Sequence, residues 1–353
     1  MKAALLVIII FISSFARAQR TNDSLFDFTA DVRLFTAYAF MNAAGNDGEW
    51  RKAGMHPIRI AVRKDLEGRL DSSFQKKIEN FRISHDRGSW TGYGPYALIT
   101  SGPPDFQVSF DSSTSDEYCR EIEKAYAGFS PLLAEFYKKA NIAQLWERYR
   151  PLIQAQNDLR KPFAQRALSD IISYCRLKKD FFSRNANRIH FQSAPFLSYF
   201  TAETEKVNGD IHIIAGPQEG KPDESEFYHE VLHHVINPLV DDLDSNTTAT
   251  FDYLFRLADS TSQNGYGQFY EGFVRTLDKV IGGKRFGESD SVVTANIMRE
   301  YKLGFILCPS IYEQLKQYEA SRMTFAEYFP KIVANIDVAR ERQRWLDSMK
   351  SSK

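Results

Sequence analysis

The sequence predicts an α+β fold that is predominantly helical and carries one small sheet. Three observations point there. Apolar residues recur at helical spacing through residues 116–185 and again from Val292 onward. Two short runs, Arg188-Ile189-His190-Phe191 and Asp210-Ile211-His212-Ile213-Ile214-Ala215, read as strands, with the turn formers Asn208-Gly209 ahead of the second. Neither an internal repeat nor a low-complexity linker interrupts the pattern.

Taken in order, the chain opens on an address. Lys2 precedes an apolar run from Ala3 to Phe15, and Ala16-Arg17-Ala18 is an A-x-A cleavage site, so a mature chain would begin at Gln19. The run is short for a transmembrane helix, and no cysteine follows the site to take a lipid. A signal peptide over 1–18 is expected, with a secreted or periplasmic product and no stable membrane insertion after cleavage. The remainder divides into a mixed N-terminal region, 19–115, and a larger region, 116–353, with the boundary near 111–117.

Composition narrows the class. A hydrophobic fraction of 43%, with 27 Phe and 17 Tyr, supports a substantial core. The 45 basic and 45 acidic residues give zero formal charge, which argues against nucleic acid and anionic membranes as partners. Cys119, Cys175 and Cys308 are odd in number and widely spaced, so buried free thiols are expected rather than a disulfide framework or a zinc cluster.

Phe28 to Ala44 reads as a helix ended by Gly45-Asn46-Asp47-Gly48. Pro57 to Val62 alternates like a strand, although it would equally open a helix, and Leu70 to Phe81 suits a polar surface helix. Gly88 to Phe110 is rich in glycine, proline and aromatics. It reads as an ordered loop whose aromatics pack on the rest of the protein or, less commonly, bind a sugar or peptide. Stripes through Tyr118–Phe129, Leu132–Tyr137, Ile142–Leu159 and Ala164–Phe182 mark helices, with Pro151 breaking or kinking the third. His190 and His212 alternate with apolar neighbours and are expected to face solvent.

The chemistry concentrates in His229-Glu230-Val231-Leu232-His233, on a predicted helix that starts near Ser225 and stops at Asn237-Pro238. Residues four apart share a helix face, so two neutral imidazoles at 229 and 233 can grip one zinc ion, with Glu230 placed to act as general base on a water. A catalytic zinc usually has three protein ligands. The third is expected from Phe269-Tyr270-Glu271-Gly272-Phe273-Val274-Arg275, as Glu271, with Asp252, Asp259 and Glu288 as competitors. Arg275, one turn on, would orient that carboxylate or be a surface arginine. His234 suits a supporting or core role better than ligation. The plainer reading is a buried helix whose histidines only hydrogen-bond to neighbours. The acidic run Asp241, Asp242, Asp244 lacks the pattern of a calcium loop and reads as a solvated turn.

These residues resemble the gluzincin type of zinc metallopeptidase, in which the short motif is completed by a glutamate on a second helix. The likeness spans roughly residues 185–340, and the chain as a whole is similar to a group of exported bacterial proteins predicted to be such peptidases. The resemblance implies a zincin-like catalytic domain with a small sheet beside the active-site helix. It also implies an edge strand, here Ile211–Ala215, that pairs with an extended peptide, and a downstream Tyr or His at the oxyanion, for which Tyr301 and Tyr312 are candidates. The implied function is hydrolysis of a peptide or protein substrate by a metal-activated water with Glu230 as general base. The alternative is a non-catalytic exported protein that binds a peptide or glycan through the aromatic segment. No G-x-S-x-G elbow supports a serine hydrolase. The sequence leaves the oligomeric state open.

Overall fold

The computed structural model describes residues 25–46, 54–85, 92–110, 117–218, 224–257 and 265–351. The signal-peptide segment, Trp90 and Asp259 lie outside them. The described chain is mostly helical with one four-stranded sheet, as the α+β reading expects. Among the described residues no helix is long and apolar enough to cross a membrane. The chain separates into two compact units, residues 1–161 with 180–222, and residues 162–179 with 223–353. That division differs from the one expected near 111–117. The helices after residue 116 pack into the N-terminal core, which gathers Leu133, Phe136, Ile142, Leu145 and Ile153 around Phe35 and Phe40.

Unit one is built on α1 (Val32–Ala43), a helix apolar on nearly every side and therefore buried. Asp31 caps it by accepting from the Arg33 amide at 2.7 Å. Pro57–Leu66 is helix α2 and not a strand: Pro57 suits the first helical turn and the His56 ring accepts from the Ile58 amide. Then come α3 (Ser72–His85), α4 (Tyr93–Leu98), α5 (Glu117–Ala125) and α6 (Phe129–Lys139). Phe40 meets Phe129 and Phe136 edge-on, with ring centroids 5.1 and 5.5 Å apart. In the glycine- and aromatic-rich segment Tyr93, Tyr96 and Phe106 are buried, so these rings serve packing.

Helix α7 (Ile142–Tyr174) is continuous. Pro151 and Pro162 do not interrupt it, and the separate helix expected from Ala164 to Phe182 is its second half plus the short α8 (Phe181–Asn185). The sheet follows: β1 (Phe26–Asp27), β2 (Ile189–Ser193), β3 (Ala202–Val207) and β4 (Asp210–Ala215), in the order β1-β2-β4-β3. The β1–β2 and β2–β4 pairs are parallel and β3–β4 is an antiparallel hairpin, turned at Asn208 and Gly209, both at positive φ. Ile211–Ala215 is thus an interior strand with both edges taken, and cannot be the free edge that the resemblance implied. The edge next to it is β3, whose polar sequence gave no strand signal.

Unit two contains α9 (Ser225–Asp241), α10 (Ser245–Leu257), α11 (Gly265–Phe286), α12 (Asp290–Lys302), α13 (Cys308–Ala320), α14 (Phe325–Ala334) and α15 (Val338–Ser351). Helix α11 packs against both α9 and α13. Pro238 does not stop α9, because its missing donor falls in the final turns and the Asp242 amide still closes on the Pro238 carbonyl at 3.2 Å. Asp244, from the acidic run, caps α10 by accepting from the amides of Asn246 and Thr247. Cys308-Pro309-Ser310 forms the first turn of α13. All three cysteines are buried and none is in a disulfide, and burial pushes the Cys175 and Cys308 thiols up to about 12.

Candidate metal centre

Two helices of unit two build the site. Phe227, Tyr228, Val231, Leu232, Val235 and Ile236 bury one side of α9, which turns His229 and His233 the other way. The start of α9 is pinned: Arg166 Nε donates to Glu224 at 2.8 Å, and the Tyr228 hydroxyl donates to Asp170 at 2.7 Å. Its end is tied to α11 by the Tyr270 hydroxyl donating to Asp241. On α11, Phe269, Phe273, Val274 and Leu277 are buried, and Glu271 projects from the remaining side.

The structure brings His229, His233 and Glu271 together. The two Nε2 atoms are 3.3 Å apart, and the Glu271 carboxylate oxygens lie 3.6 Å from His229 Nε2 and 3.5 Å from His233 Nε2. A tetrahedral zinc with bonds of about 2.0–2.1 Å holds its ligand atoms about 3.3 Å apart. The three groups come close to that spacing, each imidazole facing a different carboxylate oxygen, and they belong to the ligand types zinc takes. Their side chains remain 18%, 12% and 16% exposed, so the centre opens to solvent. The rings stand at 78° to one another, which lets both lone pairs converge.

The surroundings fix the three donor groups. His233 Nδ1 lies 3.1 Å from Asn237 Oδ1, which holds the proton on that nitrogen and leaves Nε2 as the donor atom. Arg275 gives Nε to Glu271 at 2.7 Å and Nη1 to Glu300 at 3.0 Å, and its guanidinium stacks over Phe305 at 4.1 Å. Burial, the largest influence, drives the His229 pKa down to about 3, so this imidazole is neutral as a ligand must be. Burial works to raise the Glu271 pKa, but His233, His229 and Arg275 outweigh it and hold the carboxyl at about 2. For His233, burial is offset by the hydrogen bond to Glu271 and the charges of Glu230 and Glu271, and the net shift is upward.

Glu230 is 5% exposed, on α9 beside His229, and its charge is felt at His233. Of the competing ligands, Glu288 is exposed beyond the end of α11, and the Asp252 side chain lies outside the described positions. Tyr301 is buried against Trp345, and Tyr312 bonds to Asp290, so the oxyanion role stays with neither. Sequence reasoning did not single out Asn237 or Glu300. Asn237 was legible, since it stands four residues after His233 and so shares its face. Glu300 was not, because only the packing of α12 brings it to Arg275.

The clamp yields an expected result. If the three donors hold zinc, Arg275→Met is expected to lower its affinity about 10–100-fold, the usual loss when a group supporting a ligand is removed. Arg275→Lys recovers part of it, because an ammonium cannot span both carboxylates as the fork does. Competition with a chromogenic chelator measures both, and wild-type affinity in Arg275→Met would show that the guanidinium does not position Glu271.

No family model matches the chain, and no curated protein or solved structure matches it.

Proposed function

We propose that the protein is an exported, zinc-dependent peptidase with a zincin-like catalytic domain in unit two. One observation carries the reading: two imidazoles from α9 and a carboxylate from α11 converge at 3.3–3.6 Å beside a buried glutamate. His229, His233 and Glu271 would hold the ion. When bound, zinc lowers the pKa of water and polarises a carbonyl oxygen.

The chain's own groups do the rest. Glu230 takes the proton of the attacking water and returns it to the departing amine, so one carboxylate serves as base and then acid. Peptide hydrolysis then runs without a covalent enzyme intermediate. Arg275 keeps the Glu271 carboxylate oriented, and Asn237 keeps the His233 tautomer. The buried thiols of Cys175 and Cys308 offer no nucleophile at neutral pH. Export rests on the Lys2, Ala3–Phe15 and Ala16-Arg17-Ala18 pattern.

The test is direct. The purified mature chain is expected to cleave unstructured peptides in a quenched-fluorescence library, to stop when 1,10-phenanthroline is added, and to resume when zinc is restored. Cleavage indifferent to the chelator, or none by the zinc-loaded protein, would defeat the proposal.

A further inference from the structure

The sheet of unit one carries a second set of groups with ligand chemistry. Register places it: His190 on β2 stands opposite His212 on β4, and Asp210 precedes His212 by two residues and so shares its face. His190 Nε2 lies 3.0 Å from Asp210 Oδ2, and its Nδ1 lies 3.3 Å from Asp27 Oδ2. One ligand atom from each of His190, Asp210 and His212 lies within 4.8 Å of the others. Solvent-facing histidines were expected here, yet His212 is 4% exposed and its Nδ1 is sealed off with no hydrogen-bond partner. A polar nitrogen buried in that way is costly, and cores normally avoid it.

We infer that His190, Asp210 and His212 form a binding site for a divalent transition ion of the zinc class, separate from the centre on α9 and α11. Imidazole and carboxylate donors suit such an ion. Asp27 Oδ2 lies 3.3 Å from His190 Nδ1, so its charge favours the proton on that nitrogen and frees Nε2, which faces Asp210, as the donor atom, much as an outer acid does for a metal-bound histidine. The 3.0 Å between His190 Nε2 and Asp210 Oδ2 approaches the spacing of about 3.3 Å that two ligands of one tetrahedral ion adopt. The rings stack 4.5 Å apart at 7°, so sharing an ion asks one of them to turn. His212 is the ring with no hydrogen bond to lose. Arg33, the nearest guanidinium on α1, is occupied by Asp31 and by the carbonyls of Leu98 and Thr100. The Asp210 side chain is 27% exposed and gives the ion its way in. Bound there, the ion cross-links β2 and β4.

Zinc titration of metal-stripped full chain, read by native mass spectrometry, tests the site whatever the α9–α11 centre does. His212→Asn is expected to bind one zinc fewer per chain than wild type. The His229→Ala/His233→Ala double variant, which leaves the sheet untouched, is expected to keep one zinc, and adding His190→Asn to it removes that ion. An unchanged count in folded His212→Asn, no ion on the double variant, or an ion that survives His190→Asn would each overturn the assignment. Should circular dichroism show that His212→Asn does not fold, the double variant and its His190→Asn derivative decide alone.

Discussion

Glu230→Gln is expected to bind zinc like the wild type and to lose peptide hydrolysis by about 10²–10⁴-fold, the range a positioned general base contributes. Gln has nearly the same shape, so α9 and its ligands stay in place, while the amide cannot accept the water's proton. On the peptidase reading the loss is expected in kcat with little change in KM, because Glu230 would act on the reacting water and not on substrate binding. Metal content and steady-state kinetics on one preparation separate the outcomes. Activity close to wild type would remove Glu230 from the mechanism. Lost zinc would mean that Glu230 holds the site together.

The second large effect is on the metal itself. Glu271→Ala removes one of three protein donors and leaves Arg275 facing an empty position with only Glu300 as counter-charge. Zinc affinity is expected to fall by more than the roughly 100-fold upper range for supporting groups, and hydrolysis to fall to background. His233→Ala is expected to do the same, since it takes away the donor oriented by Asn237. Equilibrium dialysis against buffered zinc reads both. A Glu271→Ala protein that keeps full-affinity zinc dependent on His229 would show that another carboxylate completes the centre.

How much of this was legible depends on the range of the interactions. His229 and His233 are four apart on one helix, so their convergence is local and the sequence contains it. Glu271 could be nominated because the apolar residues around it, Phe269, Phe273 and Val274, leave one side of its helix for a polar group. The errors also have physical causes. Pro57 to Val62 alternates in hydrophobicity, but a proline at a helix start and the His56 cap outweighed the alternation. Strand β3 was missed because Ala202-Glu203-Thr204-Glu205 has no apolar side. Its glutamates are accommodated by tyrosines instead, Tyr38 donating to Glu203 at 2.6 Å and Tyr118 bonding to Glu205. His212 was misplaced for a similar reason, since its burial to 4% exposure comes from packing that the alternation within β4 does not contain. The two prolines of α7 show that a breaker residue is a local cost, which packing along a long helix can outweigh.

The donors of the α9–α11 centre come from helices separated by the whole of α10. An ion there would also be a staple: binding only where the two helices meet, it would draw the equilibrium toward the folded chain by mass action. On the peptidase reading, a copy without its ion is both inert and easier to open. In a partly loaded population the empty molecules then become food for the loaded ones, and scarcity of metal would show itself as self-digestion before it showed as slow turnover.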